Sequence, residues 1–193
     1  MGNFLVGALT GANDMVTAVA ANEEVRYRFM DFIRELTSGL NLALIGIAIA
    51  MIVAGMGSAK AVGKAGEAVA GLMAENPSLF GKAVILQALP GTQGLYGFIT
   101  AFVMIIKLGF IGGSVPELTF AQGMYFIFAS LPVAIVGYFS ALKQGRVASA
   151  GITLMAKQPE ASGKSITSAG LVELYAIFSL VVSLFLVLFA PIG

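Results

Sequence analysis

The sequence contains no cysteine, no histidine and no tryptophan. Without cysteine and histidine the chain has no disulfide, no thiolate or imidazole metal ligand, no Ser-His triad and no cysteine nucleophile. Any chemistry that the chain performs must therefore use carboxylates, amides, hydroxyls and backbone groups.

Charged residues are also scarce. They make up 11% of the 193 residues, whereas soluble domains contain about 25%. Hydrophobic residues reach 58%, a composition typical of integral membrane proteins. The net charge of +1 provides no basic surface for a polyanion, so we expect no nucleic-acid partner.

Four apolar segments have the length of about 20 residues that a helix needs to cross a membrane. They are Leu40–Met56, Ala83–Ile106, Leu118–Leu142 and Ile166–Pro191. In the interior of the last three segments, Glu173 is the one acidic or basic residue. The pattern predicts an all-α membrane protein with four transmembrane helices.

The polar stretches after the first and third segments resemble each other at a constant separation of 82 residues, which places Pro77 opposite Pro159. The other matches are Gly63-Lys64 with Gly145-Arg146, Leu72-Met73-Ala74 with Leu154-Met155-Ala156, and Gly81-Lys82 with Gly163-Lys164. Such an internal repeat indicates a duplication. We predict two tandem αα-hairpins, each with a helix, a polar loop containing the proline and a returning helix.

The repeat also divides the chain. Residues 39–107 are predicted to form the first transmembrane hairpin, residues 108–117 a connecting loop, and residues 118–193 a second hairpin that carries Glu173. Residues 1–38 form an N-terminal extension. Its stretch Glu23–Leu36 alternates charged and apolar residues, which predicts an amphipathic helix at the membrane interface.

Basic residues indicate the orientation of the hairpins. They cluster around the two hairpin loops: Lys60, Lys64 and Lys82 at the first, and Lys143, Arg146, Lys157 and Lys164 at the second. Because loops rich in Lys and Arg remain on the cytoplasmic side, we expect both hairpin loops in the cytoplasm and both termini outside.

A carboxylate at bilayer depth costs about 3 kcal/mol on insertion scales, so it requires a partner or a function. Glu173 lies 14 residues after the proline of its own hairpin loop, and Gln144 lies 15 before it. Thr92 and Gln93 lie 15 and 16 residues after the proline of the first loop. Equal counts along helices of one orientation predict equal heights, and four oxygen-bearing side chains in one apolar layer predict a cation site.

The second segment contains a helix-breaking sequence at this height. Pro90 removes one backbone donor and Gly91 loosens the helix, so carbonyl oxygens near Leu89 are expected to be available to an ion. Tyr96 lies one turn beyond Thr92 and is placed to donate its hydroxyl to the carboxylate. In the repeat, Gly91 corresponds to Glu173, so one carboxylate serves two hairpins.

Three segments carry a family resemblance: Leu89–Gly97 (Leu-Pro-Gly-Thr-Gln-Gly-Leu-Tyr-Gly), Gln144–Ala148 and Leu171–Tyr175. They resemble the membrane-rotor subunit of V-type ATPases, the duplicated proteolipid called subunit K or c. The resemblance extends over about residues 40–192. The longer leader, residues 1–38, departs from the family pattern, and we assign it no function.

The resemblance implies a homo-oligomeric ring of four-helix protomers in a bacterial inner membrane, in contact with lipid. A central stalk attached at the cytoplasmic loops would turn this ring past a stator subunit whose cation faces the carboxylate. The chain would be a non-catalytic, ion-translocating subunit of a rotary ATPase. In sodium-pumping members the resemblance implies Na⁺ ligands at the Leu89 carbonyl, Thr92, Gln93, Gln144 and Glu173, with Tyr96 steadying the glutamate.

Three alternatives remain open at this point. Proton-pumping relatives need only the carboxylate, so the additional oxygens favour Na⁺ over H⁺ without excluding a proton rotor. A stand-alone secondary transporter would use Glu173 as its coupling carboxylate, but four spans enclose little volume. A membrane enzyme would need a nucleophile or metal cluster that the composition does not provide.

Overall fold

The computed structural model describes Thr17 and residues 21–192. Four helices in this part of the chain are long and apolar enough to cross a membrane. We name them the first span (Gly39–Glu75), the second span (Pro77–Lys107), the third span (Phe120–Lys157) and the fourth span (Pro159–Leu188). The prediction of an all-α membrane protein with four spanning helices in two tandem hairpins is confirmed.

The predicted extension falls partly outside the described residues, since residues 1–16 and 18–20 are not among them. Residues 21–36 are helical and exposed throughout. Two ion pairs lie along this helix, Arg26–Glu23 and Arg34–Asp31, and the partners in each pair are three residues apart. Its location at a membrane interface stays a prediction.

The helices extend further than the apolar segments alone predicted. The first span continues as α-helix to Glu75 rather than ending near Met56, and the third continues to Lys157. Most of each stretch that we predicted as a polar loop is therefore helical. The reason is that these stretches contain good helix formers such as Ala, Lys and Glu, and no proline before Pro77 or Pro159.

The two hairpin turns have the same backbone, as a duplication requires. Asn76 (φ −145°, ψ 84°) ends the first span and Gln158 (φ −139°, ψ 81°) ends the third. Each donates its N–H back into its own helix at 2.8 Å, to Leu72 O and Leu154 O respectively. A short 3₁₀ turn beginning at the proline then starts the returning helix.

The connection between the hairpins depends on a glycine. The second span ends at Lys107, and Gly109 follows with φ 75°. A Cβ at Gly109 would lie 2.6 Å from the Ser114 carbonyl oxygen. Both the left-handed backbone and this close approach require glycine. The third span begins at Phe120, where Thr119 and Gln122 form a capping box.

Two spans contain proline irregularities. In the second span, Leu89–Gly91 forms a 3₁₀ turn between α-helices Phe80–Ala88 and Thr92–Lys107. In the third span, Pro132–Val136 forms a π-helical turn. The fourth span is uninterrupted α-helix from Ser162 to Leu188. Proline explains both irregularities, because it removes a ladder hydrogen bond and crowds the preceding turn.

The first span packs against both the second and the third. Its small residues permit very close approach: a Cβ at Gly57 would lie 2.7 Å from Tyr138 Cα, and a Cβ at Gly97 of the second span would lie 2.4 Å from the Ala50 carbonyl oxygen. Small residues at such interfaces let helix backbones approach in membranes.

Two larger apolar clusters fill the bundle, and a smaller third cluster consists of Ala50, Ala101 and Val133. One, near the hairpin loops, includes Leu72, Leu86 and Ile152. The other, toward the opposite end, includes Met104 and Phe126. Buried amide side chains occupy the layer between them.

We expect Gly57→Ala to destabilise the protein by about 1–3 kcal/mol, because the new methyl group would meet the Tyr138 backbone rather than a flexible side chain. Gly63→Ala is the matched control on the same helix, since a Cβ there meets nothing within 4 Å. Thermal unfolding in detergent measures both. A Gly57→Ala protein as stable as Gly63→Ala would contradict the close packing.

Candidate ion-binding site

Gln93 of the second span and Gln144 of the third meet in the centre of the bundle, and both are 0% exposed. Gln93 Nε2 donates to Gln144 Oε1 at 2.5 Å, and Gln144 Nε2 donates to the Ala169 carbonyl oxygen of the fourth span at 3.1 Å. This chain of hydrogen bonds joins three of the four spans.

The chain of hydrogen bonds also fixes how the two amides are turned. The Ala169 carbonyl can only accept, so it faces the Gln144 amide nitrogen and leaves Gln144 Oε1 toward Gln93. Gln93 donates to that oxygen through its amide nitrogen. Gln93 Oε1 therefore faces Thr92 and lies 3.5 Å from the Thr92 hydroxyl oxygen. Both amide oxygens retain lone pairs that a cation can use.

Thr92 and Leu89 supply two further oxygens beside the proline irregularity. The Leu89 carbonyl accepts the Thr92 N–H that closes the 3₁₀ turn. It also accepts the Thr92 hydroxyl at 2.9 Å. The Thr92 hydroxyl donates its one proton to this carbonyl, so its lone pairs are available to a cation.

Glu173 is half-buried on the fourth span and contacts the second span through Tyr96. The Tyr96 hydroxyl donates to Glu173 Oε1 at 2.5 Å. Glu173 lies one helical turn after Ala169, the carbonyl that anchors Gln144, so carboxylate and amide network share one short stretch of helix.

The structure places the residues that the sequence singled out in two groups, which are both anchored on the fourth span, at Ala169 and at Glu173 one helical turn later. Leu89, Thr92, Gln93 and Gln144 form one group, in which Thr92 is hydrogen-bonded to Leu89, Gln93 is hydrogen-bonded to Gln144, and the Thr92 hydroxyl oxygen lies 3.5 Å from Gln93 Oε1. Tyr96 and Glu173 form the other. Pro90 is buried and Gly91 half-buried at the irregularity that separates the two helical parts of the second span.

The oxygen types in this layer suit an alkali cation. Within residue 17 and residues 21–192, no group of three or more His, Cys, Asp or Glu residues is placed to hold a metal ion. A cation at Glu173 would therefore meet a single carboxylate, and the side chains of the neighbouring amide network, which is anchored one helical turn away at Ala169, are neutral. One monovalent charge balances that carboxylate, whereas a divalent ion would leave excess charge in an apolar layer.

Sequence reasoning missed two residues of this site. Ala169 contributes only a backbone carbonyl, which no side-chain pattern could indicate. Ser58 of the first span accepts the Gly94 N–H at 2.6 Å through its hydroxyl oxygen. Ser58 was visible as a polar residue in a run of small ones, but nothing in the sequence pointed it toward the second span.

Comparison with known proteins assigns the family. The model of the family described as the C subunit of ATP synthase matches residues 45–104 and 127–186, once in each hairpin. The chain belongs to this ATP synthase C-subunit family. Both matches include site residues, Thr92 and Gln93 in the first and Gln144 and Glu173 in the second.

Individual relatives of this family have similar sequences. The V-type sodium ATPase subunit K of Enterococcus hirae is 48% identical over 159 residues, covering 82% of this chain and 98% of that protein. The A-type ATP synthase subunit K of Methanocaldococcus jannaschii is 36% identical over 147 residues, 76% of this chain and 62% of its own length. The V-type proton ATPase 16 kDa proteolipid subunit of Chrysotila carterae is 28% identical over 144 residues, 74% of this chain and 87% of that protein.

The amide pair makes a stability prediction that is independent of any ion. Gln144→Met should destabilise the protein by about 1–3 kcal/mol, because it leaves the Gln93 amide buried without its acceptor. Replacing both glutamines by Met should recover part of that loss, since both partners are then apolar. Thermal unfolding in detergent measures this, with the exposed Gln158→Met as control. A double variant less stable than Gln144→Met would contradict the pairing.

Proposed function

We propose that this member of the ATP synthase C-subunit family is the rotor-ring subunit of a V-type ATPase and carries Na⁺ across the membrane. The observation that carries the proposal is the layer of oriented oxygens beside Glu173, in a chain 48% identical to a V-type sodium ATPase subunit K. Na⁺ would bind the Leu89 carbonyl, the side chains of Thr92, Gln93 and Gln144, and the Glu173 carboxylate.

Charge neutrality explains why such a site can turn through lipid. An ionised carboxylate is costly at bilayer depth. A bound Na⁺ cancels its charge, and the neutral oxygens replace the hydration shell of the ion. Tyr96 donates to one carboxylate oxygen, which leaves the other oxygen to face the ion. With the ion bound, the half-buried Glu173 can pass along the hydrocarbon.

Release requires that a competing charge meet the carboxylate. A cation on the stator subunit would draw Glu173 away from Tyr96 and from the amide oxygens, and Na⁺ would then leave to water. The chain's own residues bind and release the ion but form no covalent bond. We infer that the protein is non-catalytic and that ATP hydrolysis or synthesis takes place on other subunits of the complex.

The topology follows from charge. Lys82, Lys157 and Lys164 lie within six residues of the hairpin turns at Asn76 and Gln158, which supports a cytoplasmic location of the turns. These turns would contact the central stalk, both termini would lie outside, and copies of the chain would form a ring within a bacterial inner membrane.

A proton is the second candidate for the transported ion. Two relatives, from Nephrops norvegicus and Chrysotila carterae, are named as proton ATPase proteolipids. Proton carriage would use Glu173 and Tyr96 alone and would leave the buried amide oxygens without a role. The oxygen layer therefore favours Na⁺.

Carbodiimide labelling of Glu173 distinguishes the two ions, because such reagents attack the protonated carboxyl. We expect millimolar Na⁺ to protect Glu173 strongly at fixed pH in the purified protein, and K⁺ to protect much less. Labelling that follows pH alone, with no effect of Na⁺, would identify a proton rotor. Glu173→Gln provides the background, since it removes the reactive group.

Glu173→Gln should abolish ATP-driven sodium uptake into vesicles that contain the whole complex, while the protein still inserts and assembles. The amide preserves shape but carries no charge to bind or release Na⁺. Glu117→Gln, an exposed position in the loop between the two hairpins, should leave uptake unchanged. Normal uptake by the Glu173→Gln protein would contradict the assignment of Glu173 to the ion-binding site.

A further inference from the structure

The second span has to hold its ligands in place immediately after a break in its helix. Thr92, Gln93 and Tyr96 all follow the 3₁₀ turn Leu89–Gly91 within one and a half helical turns. Pro90 supplies no N–H to the ladder, so the helix beyond it is held less firmly by the helix before it. A contact from outside the second span can therefore set where this ligand-bearing segment lies.

Ser58 makes such a contact. Its hydroxyl oxygen accepts the N–H of Gly94, the residue at the centre of the segment, at 2.6 Å. Ser58 is 6% exposed, so water does not compete for this hydrogen bond. The absence of a side chain at Gly94 leaves room for this contact, since a Cβ at that position would lie 3.1 Å from Ser58 Cβ and 3.2 Å from Ser58 Oγ.

The duplicated hairpin supplies an internal comparison. Ser140 lies 82 residues after Ser58 and is its counterpart in the repeat, and Val172 is the counterpart of Pro90. The fourth span therefore runs without a break. The buried Ser140 hydroxyl has no hydrogen-bond partner within the described part of the chain. The serine is present in both hairpins, but it bonds to the neighbouring span only in the hairpin where that span is broken.

We propose that Ser58 is a positioning residue for the ion site: its hydrogen bond to the Gly94 N–H fixes the segment that presents Thr92, Gln93 and Tyr96. This inference rests on the proposed function of the site. The hydroxyl does not touch the ion. It acts by keeping three ligand-bearing or ligand-steadying residues at the distance at which their oxygens meet Glu173.

The affinity of an alkali cation responds strongly to such positioning. The carboxylate and the neutral oxygens together must replace the hydration shell of the ion, and that requires the neutral oxygens to lie at the coordination distance before the ion arrives. In Ser58→Ala the segment relaxes about the Pro90 break, and the ion has to restore its position on binding. We expect the Na⁺ concentration for half-protection of Glu173 to rise about fivefold, equivalent to about 1 kcal/mol.

The experiment compares four single variants of the full chain, purified in detergent, by Na⁺ protection of Glu173 from carbodiimide. Ser58→Ala and Gly94→Ala should both raise the half-protection concentration, the second because its methyl group pushes against Ser58. Ser140→Ala should not raise it. Ser183→Ala removes a similar hydrogen bond, from Val133 N at 3.1 Å beside the third-span irregularity. It should lower thermal stability without changing half-protection.

The outcomes separate the inference from the function on which it rests. Protection of the unaltered protein by Na⁺, together with a half-protection value for Ser58→Ala within twofold of it, would overturn the positioning role and leave the sodium site intact. An equal increase in Ser183→Ala would reduce Ser58 to a general stability residue and also overturn the inference. Absence of Na⁺ protection in the unaltered protein would overturn the sodium function, and the inference with it.

Discussion

The cost of a carboxylate inside an apolar bundle governs the arrangement of this protein. Glu173 is tolerated at that depth only with partners that offset the loss of water. The structure supplies one donor directly, the Tyr96 hydroxyl, and anchors the buried Gln93–Gln144 amide pair on Ala169, one helical turn before the carboxylate. These groups are themselves polar and buried, so each requires a partner in turn. Hydrogen bonds from Thr92 to Leu89, from Gln93 to Gln144 and from Gln144 to Ala169 meet most of that requirement.

The helix break in the second span is a consequence of the same requirement. In a regular α-helix the backbone carbonyls point along the helix axis, so none is directed sideways toward a ligand. The Pro90 irregularity tightens the turn at Leu89–Gly91 and brings the Leu89 carbonyl beside the Thr92 hydroxyl. The break also means that the helix before Pro90 restrains the position of the helix after it less firmly. The close contact with the first span at Ser58 and Gly94 offsets that weakness.

Much of the fold and of the site could be predicted because both depend on regular spacing. The repeat placed the turns at Pro77 and Pro159, and counting from them placed Thr92, Gln93, Gln144 and Glu173 at one height. In the structure Gln93 and Gln144 are hydrogen-bonded to each other, and the Thr92 hydroxyl oxygen lies 3.5 Å from Gln93 Oε1. Counting along a helix succeeds because its rise per residue is constant.

Other features of the fold and site could not be predicted from spacing. Which way each amide is turned depends on the Ala169 carbonyl of another helix. The partner of Ser58 depends on how closely the first and second spans pack. The length of the first span was underestimated because hydropathy reports where the apolar segment stops, whereas the helix continues until Asn76 and Pro77 end it.

The duplication gave two hairpins with the same turn, and the differences between them account for the single site. The first hairpin carries the break and most of the neutral oxygens, with Gly91 where the second carries Glu173. The second hairpin keeps an unbroken fourth span that fixes both the carboxylate and the Ala169 carbonyl on one rigid helix. Two carboxylates at one depth would repel each other without water to screen them. A single carboxylate, opposed by a helix that can present oxygens, avoids that repulsion and leaves the site neutral when one monovalent ion is bound.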